Sequence, residues 1–394
     1  MSSKLKVLFL PSWFPNRNSP LQGQFFKRHA LALKDSYDIT VLYVGFSPLN
    51  QNEYEVEFSV EEGLKVCRVY IQGNAIVVIR NIFDLRKFII AHWKGYRLIS
   101  KNTGRIDGVH VCVIDSVGFV AYLLFKIRRI PYIIYEVSSV FNEGDNRFSK
   151  YKTHIKFLKK IIVRNARAVA VVASPLMRAM QKHGLKGNYL VVPPTAVDTK
   201  IFSPIENKKK SQVKKILHIS NLDLASKNPR LMIKAMYEVS KIRNDFRLDI
   251  VCHNSEASEM PEEYADELNI KNKYVFFHGG KEKDSEIGDI IKEADFFILT
   301  SNFDTFATVI SESLACGVPV IITKCGGPES YVTEECGIIV EHGNLMQLTE
   351  AIIHMLDNYH MYDTNRIAEY ARKLFSRETF VKQIGELYEK YFSK

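Results

Sequence analysis

From Asn302 the chain reads NFDTFATVISESLACGVPVIITKCGGPES, which places Asp304 and Glu312 eight residues apart, ahead of a Gly326–Gly327 pair and a third acid, Glu329. No histidine lies in this stretch. Asp304 falls in a loop after the apolar run ADFFILT, and a helix is expected to start near Thr308. The first N–H groups of such a helix have no partner inside it and form an anion site. Glu312 sits one turn in. On a helical wheel Val309, Ile310, Ser313 and Leu314 share one face and Glu312 falls away from it. Spacing alone therefore reads Asp304 as a loop cap and Glu312 as a solvated surface glutamate.

The elements that must position these acids are legible as alternating apolar runs and helical stretches. LKVLFLP, a Pro/Asn/Gly-rich loop, the helical FFKRHALALKD and the run YDITVLYVG make a strand–loop–helix–strand unit, which builds a parallel sheet. GVHVCVID, IPYIIYE, AVAVVAS and NYLVVPP are further buried strands. After the polar stretch SPIENKKKSQ, read as a linker, the pattern restarts. VKKILHIS is a strand, NLDLASK a loop, and NPRLMIKAMYEVSKI a helix with Asn228 as N-cap and Pro229 at its first position. RLDIVCH, YVFFHG, ADFFILT, VPVIIT and CGIIVE follow as strands. The expected architecture is α/β, with two doubly wound Rossmann-like domains facing a central cleft. The expected domains are residues 1–204 and 205–375, with residues 376–394 a last helix packing back on the first domain. Ligands in such sheets sit beyond the carboxyl ends of the strands.

Composition bounds the rest. At 394 residues the chain is too long for one compact core, and 46% apolar with 25% charged residues is a globular balance. Residues 1–200 carry 30 Lys/Arg against 14 Asp/Glu, and residues 201–394 carry 24 against 30, so nets of +16 and −6 make the total of +10. The halves are expected to meet different partners. The six cysteines show no C-x-x-C pairing and read as reduced thiols of a cytosolic protein. The opening apolar run stops at Pro11, which favours a first strand over a signal peptide. His110 and His218 sit inside apolar strands and read as core histidines; His253, His278 and the cysteines lack metal-ligand spacing, so no metal and no cofactor are expected. No nucleic-acid-binding module is recognisable, so nucleic acid is not an expected partner.

The stretch from Asp304 to Glu329 resembles the signature of the family-4 retaining glycosyltransferases, enzymes of the GT-B fold. That pattern is Glu-x-Phe-Gly, a few apolar residues, Glu-Ala, a small-Gly-x-Pro-Val turn and Gly-Gly-x-x-Glu. Other landmarks recur in order: PSWFPNRNSPLQGQFFKRHALAL resembles the N-terminal glycine loop, IPYIIYEVSSVF a Pro-Tyr-strand segment, VVPPTAVDTKIFSP the Pro-Asn-Gly-Val-Asp segment, and HISNLDLASKNP the Gly-Arg-Leu-x-x-x-Lys phosphate loop. The resemblance covers nearly the whole chain. It implies that Glu312 binds the ribose of a nucleotide-diphosphate sugar (UDP- or GDP-linked) and that Asp304 holds hydroxyls of the transferred sugar. It further implies that Ser220, Asn221 and the backbone at Thr305, Phe306, Ala307 and Thr308 meet the sugar and diphosphate. Lys227 would neutralise the diphosphate, and Gly23 would let the first-domain backbone approach it.

Four positions depart from the pattern: Asp304 for Glu, Ala307 for Gly, Ser220-Asn221 for Gly-Arg, and Val137 where relatives carry a His. Glu136 is the candidate substitute for that histidine, beside its reading as a strand-end cap. With Lys227 and Asp304 it completes the candidate catalytic set. The expected activity is transfer of a hexose-type sugar, with retention, to a glycan or lipid-linked acceptor in cell-surface polysaccharide synthesis. The alternatives are an inactive nucleotide-sugar-binding or partner subunit, and a sugar-nucleotide hydrolase or epimerase.

One further segment stands out. Residues 147–167, RFSKYKTHIKFLKKIIVRNAR, hold eight Lys/Arg and no acid. On a helix Tyr151, Ile155, Leu158 and Ile162 line one stripe. One reading is a core-facing helix with a solvated basic face; the other is a surface resting on anionic lipid. The expected location is cytoplasmic, with peripheral attachment to the inner face of the plasma membrane under the second reading.

Overall fold

The computed structural model describes residues 4–20, 22–73, 82–142, 144–145, 147–194, 197–205, 208, 211–252, 255–280 and 283–393. His253, Thr195, Ala196 and part of the polar linker lie outside the described residues. The first sheet holds strands β1 (Lys6–Pro11), β2 (Asp38–Ser47), β3 (Tyr54–Glu61), β4 (Leu64–Gln72), β5 (Gly108–Cys112), β6 (Tyr132–Glu136), β7 (Val169–Val171) and β8 (Tyr189–Val191). The second holds β9 (Lys214–Ile219), β10 (Phe246–Cys252), β11 (Val275–Gly279), β12 (Phe296–Leu299), β13 (Val320–Thr323) and β14 (Gly337–Val340). The central strands are apolar runs buried on both faces, because helices cover both sides of a parallel sheet.

Strand order carries the functional consequence. The second sheet runs β11-β10-β9-β12-β13-β14 and the first β3-β4-β2-β1-β5-β6-β7-β8. Among the parallel strands of each, the order reverses between β9 and β12 and between β1 and β5. The connections leaving those neighbours go opposite ways, opening a crevice at the carboxyl ends of the strands. The loops after β9 and β12 carry Lys227 and Asp304, so the fold itself sets them face to face.

Two features differ from the sequence expectation. NLDLASK is not all loop: Leu224–Lys227 is a short helix, capped where Asp223 accepts the Ser226 N–H at 2.7 Å. The first sheet also has an antiparallel edge, the β3–β4 hairpin, that the strand reading passed over. The long Pro229–Ser240 helix starts as its sequence predicts, with Asn228 accepting from Leu231 N and Pro229 at its first turn. The last helix, Arg377–Phe392, lies on the first domain. Phe380 packs on His29 and Tyr135, the Tyr388 hydroxyl meets His110 Nδ1 at 2.6 Å, and the Phe392 ring occupies the space a side chain at Gly108 would need.

Candidate active site

The Lys227 loop is stitched to the strand beside it. Asn302 N–H donates to Ser226 O (2.7 Å), Asn302 Nδ2 to Ala225 O (2.8 Å), and Thr300 Oγ1 lies 3.1 and 3.2 Å from the carbonyls of Lys227 and Asn228. Held this way, Lys227 Nζ donates to Asp304 Oδ2 at 2.5 Å, with side chains 20% and 13% exposed. Asp304 Oδ1 accepts the N–H groups of Phe306 (3.1 Å) and Ala307 (2.9 Å). Asp304 is therefore a loop cap and an ion-pair partner together. In this structure it occupies two of the backbone groups that the sequence reading gave to the sugar and diphosphate, the N–H groups of Phe306 and Ala307.

Ala307 sits at φ +55 in the left-handed region, at the N-cap of the helix Thr308–Ala315. Glycine takes that conformation freely, while a β-carbon costs about 1–2 kcal/mol. Tyr331 holds the turn, its hydroxyl donating to the carbonyl of Phe306 and lying 3.3 Å from that of Ala307. The Gly326–Gly327 pair follows from close approach: a Cβ on Gly327 would stand 2.4 Å from Thr305 O, and Gly326 has φ +101. Glu329 caps this turn, accepting Gly326 N–H at 2.7 Å.

Ser220 has its hydroxyl engaged within its own strand end. Its Oγ is 2.8 Å from His218 Nε2 and accepts the Leu222 N–H at 3.0 Å. His218 Nδ1 lies 2.8 Å from the Ile298 carbonyl, which can only accept, so Nδ1 carries the ring proton and Nε2 accepts from Ser220. Burial lowers the His218 pKa to about 4, with the Lys227 charge adding to it, so the ring stays neutral. The one hydroxyl proton of Ser220 is thus committed to His218.

Ser220, Asn221, Lys227 and Asp304 through Thr308 all line one cavity of about 450 Å³, whose other wall is Phe25, Val137, Val172 and Pro194 of the first domain. Glu312 does not line it. The solvated reading of Glu312 fails: it is 8% exposed, facing the junction where Arg28 of the first domain ion-pairs with Asp284 of the second. Burial raises its pKa to about 7, Arg28 lowering it and Asp284 raising it.

Glu136 is corrected too. It is fully buried, and its carboxylate accepts the N–H groups of Ile114 (2.8 Å), Val137 (3.1 Å) and Ser138 (2.8 Å). Strand-end capping wins because those N–H groups at the end of β6 and after β5 have no strand partner; the side chain takes no part in the cleft wall. Its neighbour Val137 does. Gly23 serves local geometry: at φ +70 it caps the helix Gln24–Leu33, and a Cβ there would stand 2.3 Å from Trp13 O. Among the described residues no cluster of three or more His, Cys, Asp or Glu could hold a metal ion. Tyr331 and Phe25 were not singled out by the sequence; the first had a signal, its place two residues after Glu329 of the Gly326-Gly327 turn, and the second had none.

A second cavity, about 700 Å³, opens at the first domain's own strand-order reversal, between the ends of β1, β2 and β5 and the helix Thr153–Asn165. Trp13, Phe46, Tyr151, Ile155 and Leu158 line it. The apolar stripe of the basic segment therefore faces inward. Lys159 is buried there, donating to the Ile114 carbonyl, while Phe157 stays exposed on the outer side with Lys152, Lys160 and Arg164.

Comparison with known proteins agrees with this geometry. The family model described as "Glycosyl transferases group 1" matches residues 200–374. An N,N'-diacetylbacillosaminyl-diphospho-undecaprenol alpha-1,3-N-acetylgalactosaminyltransferase of Campylobacter jejuni is 24% identical over 88% of this chain and 93% of its own. Among solved structures, sucrose-phosphate synthase from Thermosynechococcus elongatus superposes with a TM-score of 0.78 at 18% identity, over 98% of this chain and 99% of that one. Anabaena HepE, in complex with UDP and glucose, gives 0.71 at 14% identity over 98% and 100%. The match lies on the domain that carries Lys227, Asp304 and Glu312, and the chain is accordingly a glycosyltransferase of the GT-B fold with a group 1 glycosyl transferase domain.

Proposed function

We propose that the chain moves a hexose-type sugar, with retention of anomeric configuration, from a UDP- or GDP-sugar held on the second domain to a glycan or lipid-linked acceptor on the first. The observation that carries this reading is the meeting of Lys227, Asp304 and the start of the helix Thr308–Ala315 on one cavity closed by the first domain. A diphosphate arriving there brings the charge that Lys227 now finds in Asp304. On exchange, Asp304 is released to accept sugar hydroxyls, and Lys227 with the helix N-terminus steadies the charge that grows on the leaving phosphate. The bond from the anomeric carbon to phosphate oxygen breaks, the acceptor oxygen bonds to the same face, and its proton passes to the departing phosphate. Glu312, one turn along, takes the ribose end.

The acceptor reading is supported by the aromatic cavity at the first domain's switch point and by the lipid-linked acceptor in the name of the Campylobacter relative. No helix of the described residues is long and apolar enough to cross a membrane. We propose peripheral attachment through the outer, basic side of Thr153–Asn165, with Phe157 at its centre. The test of the function is product analysis with UDP- and GDP-sugars and a polyprenyl-diphosphate-linked glycan, reading the new anomeric centre by NMR. A glycoside with the donor's configuration supports the reading. An inverted product, free sugar alone, or an interconverted nucleotide sugar contradicts it.

A further inference from the structure

The segment after β6 is fastened at each step. Glu136 holds its first two N–H groups, and Ser138 caps the single 3-10 turn Ser139–Phe141 through Val140 N at 3.3 Å. Asn142 N–H returns to Ser139 O (2.8 Å), and Asp145 N–H to Asn142 O (3.0 Å). Asp145, itself buried, takes Arg147 Nε at 2.9 and 2.8 Å on its two oxygens. On this mount Asn142 is 6% exposed, and its amide Nδ2 is buried without a hydrogen-bond partner among the described residues. Buried donors in folded proteins are nearly always paired, so an orphan on a rigid support calls for a partner from outside the chain.

What Asn142 faces is the second domain. A Cβ built on Gly326 would stand 3.9 Å from Asn142 Nδ2 and 3.5 Å from the carbonyl oxygen of Asp304. Gly144 abuts the ring of Phe303, with a Cβ there 3.1 Å from Cδ1. The amide therefore lies across the bare backbone of Gly326 from the loop of Asp304, on the first-domain side and beside the 450 Å³ cavity, whose lining does not include Asn142.

We propose that Asn142 is a specificity-determining residue for the transferred sugar, its Nδ2 donating to a hydroxyl of the sugar that Asp304 holds, in the space the missing side chain of Gly326 leaves open. The proposal rests on the nucleotide-sugar reading of the cleft. A carboxamide neither gains nor loses a proton in the working pH range, so its part is recognition of hydroxyl orientation, not proton transfer. Glu136, by fixing Val137 and Ser138, is a positioning residue for it.

The test compares wild type with Asn142→Asp, which keeps the shape and loses the donor, and Asn142→Ala. Calorimetry reads affinity for UDP and GDP, for UDP-glucose and its epimer UDP-galactose, and for GDP-mannose; thermal unfolding is the control. The proposal expects nucleoside diphosphate affinity and Tm to hold in at least the Asp variant, affinity for the preferred sugar nucleotide to fall about tenfold, and epimer preference to flatten. Unchanged sugar affinity and epimer preference in both variants overturns the role of Asn142 and leaves the cleft reading standing. Equal losses for nucleoside diphosphate and sugar nucleotide also overturn it, as the mark of a structural residue. If wild type binds none of these ligands, the cleft reading itself falls and takes the proposal with it.

Discussion

At its strand-order reversal the second domain presents Lys227 and Asp304, already paired and held by backbone and side-chain bonds from three loops; at its own reversal the first domain presents Trp13, Phe46 and Tyr151 around an aromatic-lined cavity. The folds are alike, and the chemistry at the same topological place is opposite. The charged side is preorganised: Asp304 is bonded through both oxygens before any ligand arrives. The first-domain side supplies walls, and its buried acids in the segment after β6 are spent on structure, Glu136 on capping and Asp145 on Arg147. Under the proposed function, a site built this way would put its fixed electrostatics on the donor and leave the acceptor to shape and apolar contact.

The comparison breaks most sharply at Lys227. Lys227→Ala removes the cation that the proposal sets against the leaving phosphate and leaves Asp304 half-buried without its partner. Turnover is expected to fall about 10²–10³-fold, with a smaller loss in donor binding, because the charge grows toward the transition state. Steady-state kinetics on folded protein check this, and a loss confined to KM would mean uniform binding instead. Removal of divalent ions should cost nothing in the same assay, because the proposed mechanism assigns the phosphate charge to Lys227 and the helix N-terminus. Activity lost with EDTA and restored by Mg²⁺ or Mn²⁺ would transfer that role to a metal.

Glu312 gives the next effect. Glu312→Ala should weaken nucleotide binding by about 1.5–3 kcal/mol, from the loss of a charged acceptor for hydroxyls. Its pH dependence has a fixed sign. Burial raises the folded-state pKa from the ordinary 4.5 to about 7, so the folded protein favours the neutral acid and stability falls as pH rises through that window. Glu136 shifts the same way, to about 7, but is common to both proteins compared. Glu312→Gln should therefore gain in Tm over wild type as pH goes from 4.5 to 7, while wild-type nucleotide affinity weakens as pH drops below 7. A Tm difference independent of pH would show that folding leaves the Glu312 pKa unshifted. The smallest effect is at Ala307, where Ala307→Gly relieves the left-handed backbone at some cost in unfolded-chain entropy, a net gain of about 0.5–1 kcal/mol by thermal unfolding.

On the first domain the expectation is electrostatic. Changing Lys152, Lys156, Lys160 and Arg164 to Gln should abolish sedimentation with anionic liposomes, and salt should weaken it in wild type. Equal recovery in the supernatant with and without anionic lipid would favour a soluble acceptor.

The strands were legible because parallel sheets bury both faces, so β1, β6, β12 and β13 stand out as unbroken apolar runs. The β3–β4 hairpin was not read, although YEVEFSVE alternates strictly; its apolar side chains Val56, Phe58 and Val60 are exposed, so the pattern marks an edge and not a core. Lys227 and Asp304 were placed by motif and by the ends of their strands. Glu312 was misjudged by wheel geometry alone, because a helix at a domain junction is buried on more than one side. Glu136 could not be resolved from sequence: a strand-end acid reads the same whether it turns toward a ligand or back onto its own N–H groups. Asn142 left no trace, since its local segment fixes where it stands but only the fold brings it beside Gly326, far away in the chain.

The central claim is that the Lys227–Asp304 cavity takes a nucleotide-diphosphate sugar. Calorimetric titration of UDP-glucose and GDP-mannose into wild type and Lys227→Ala, after chelation of divalent ions, tests it most directly. The account expects one of the two to bind wild type without metal and to bind the variant more weakly, with its heat of binding reduced. Equal affinity in both proteins, or no binding to wild type by either, would contradict it.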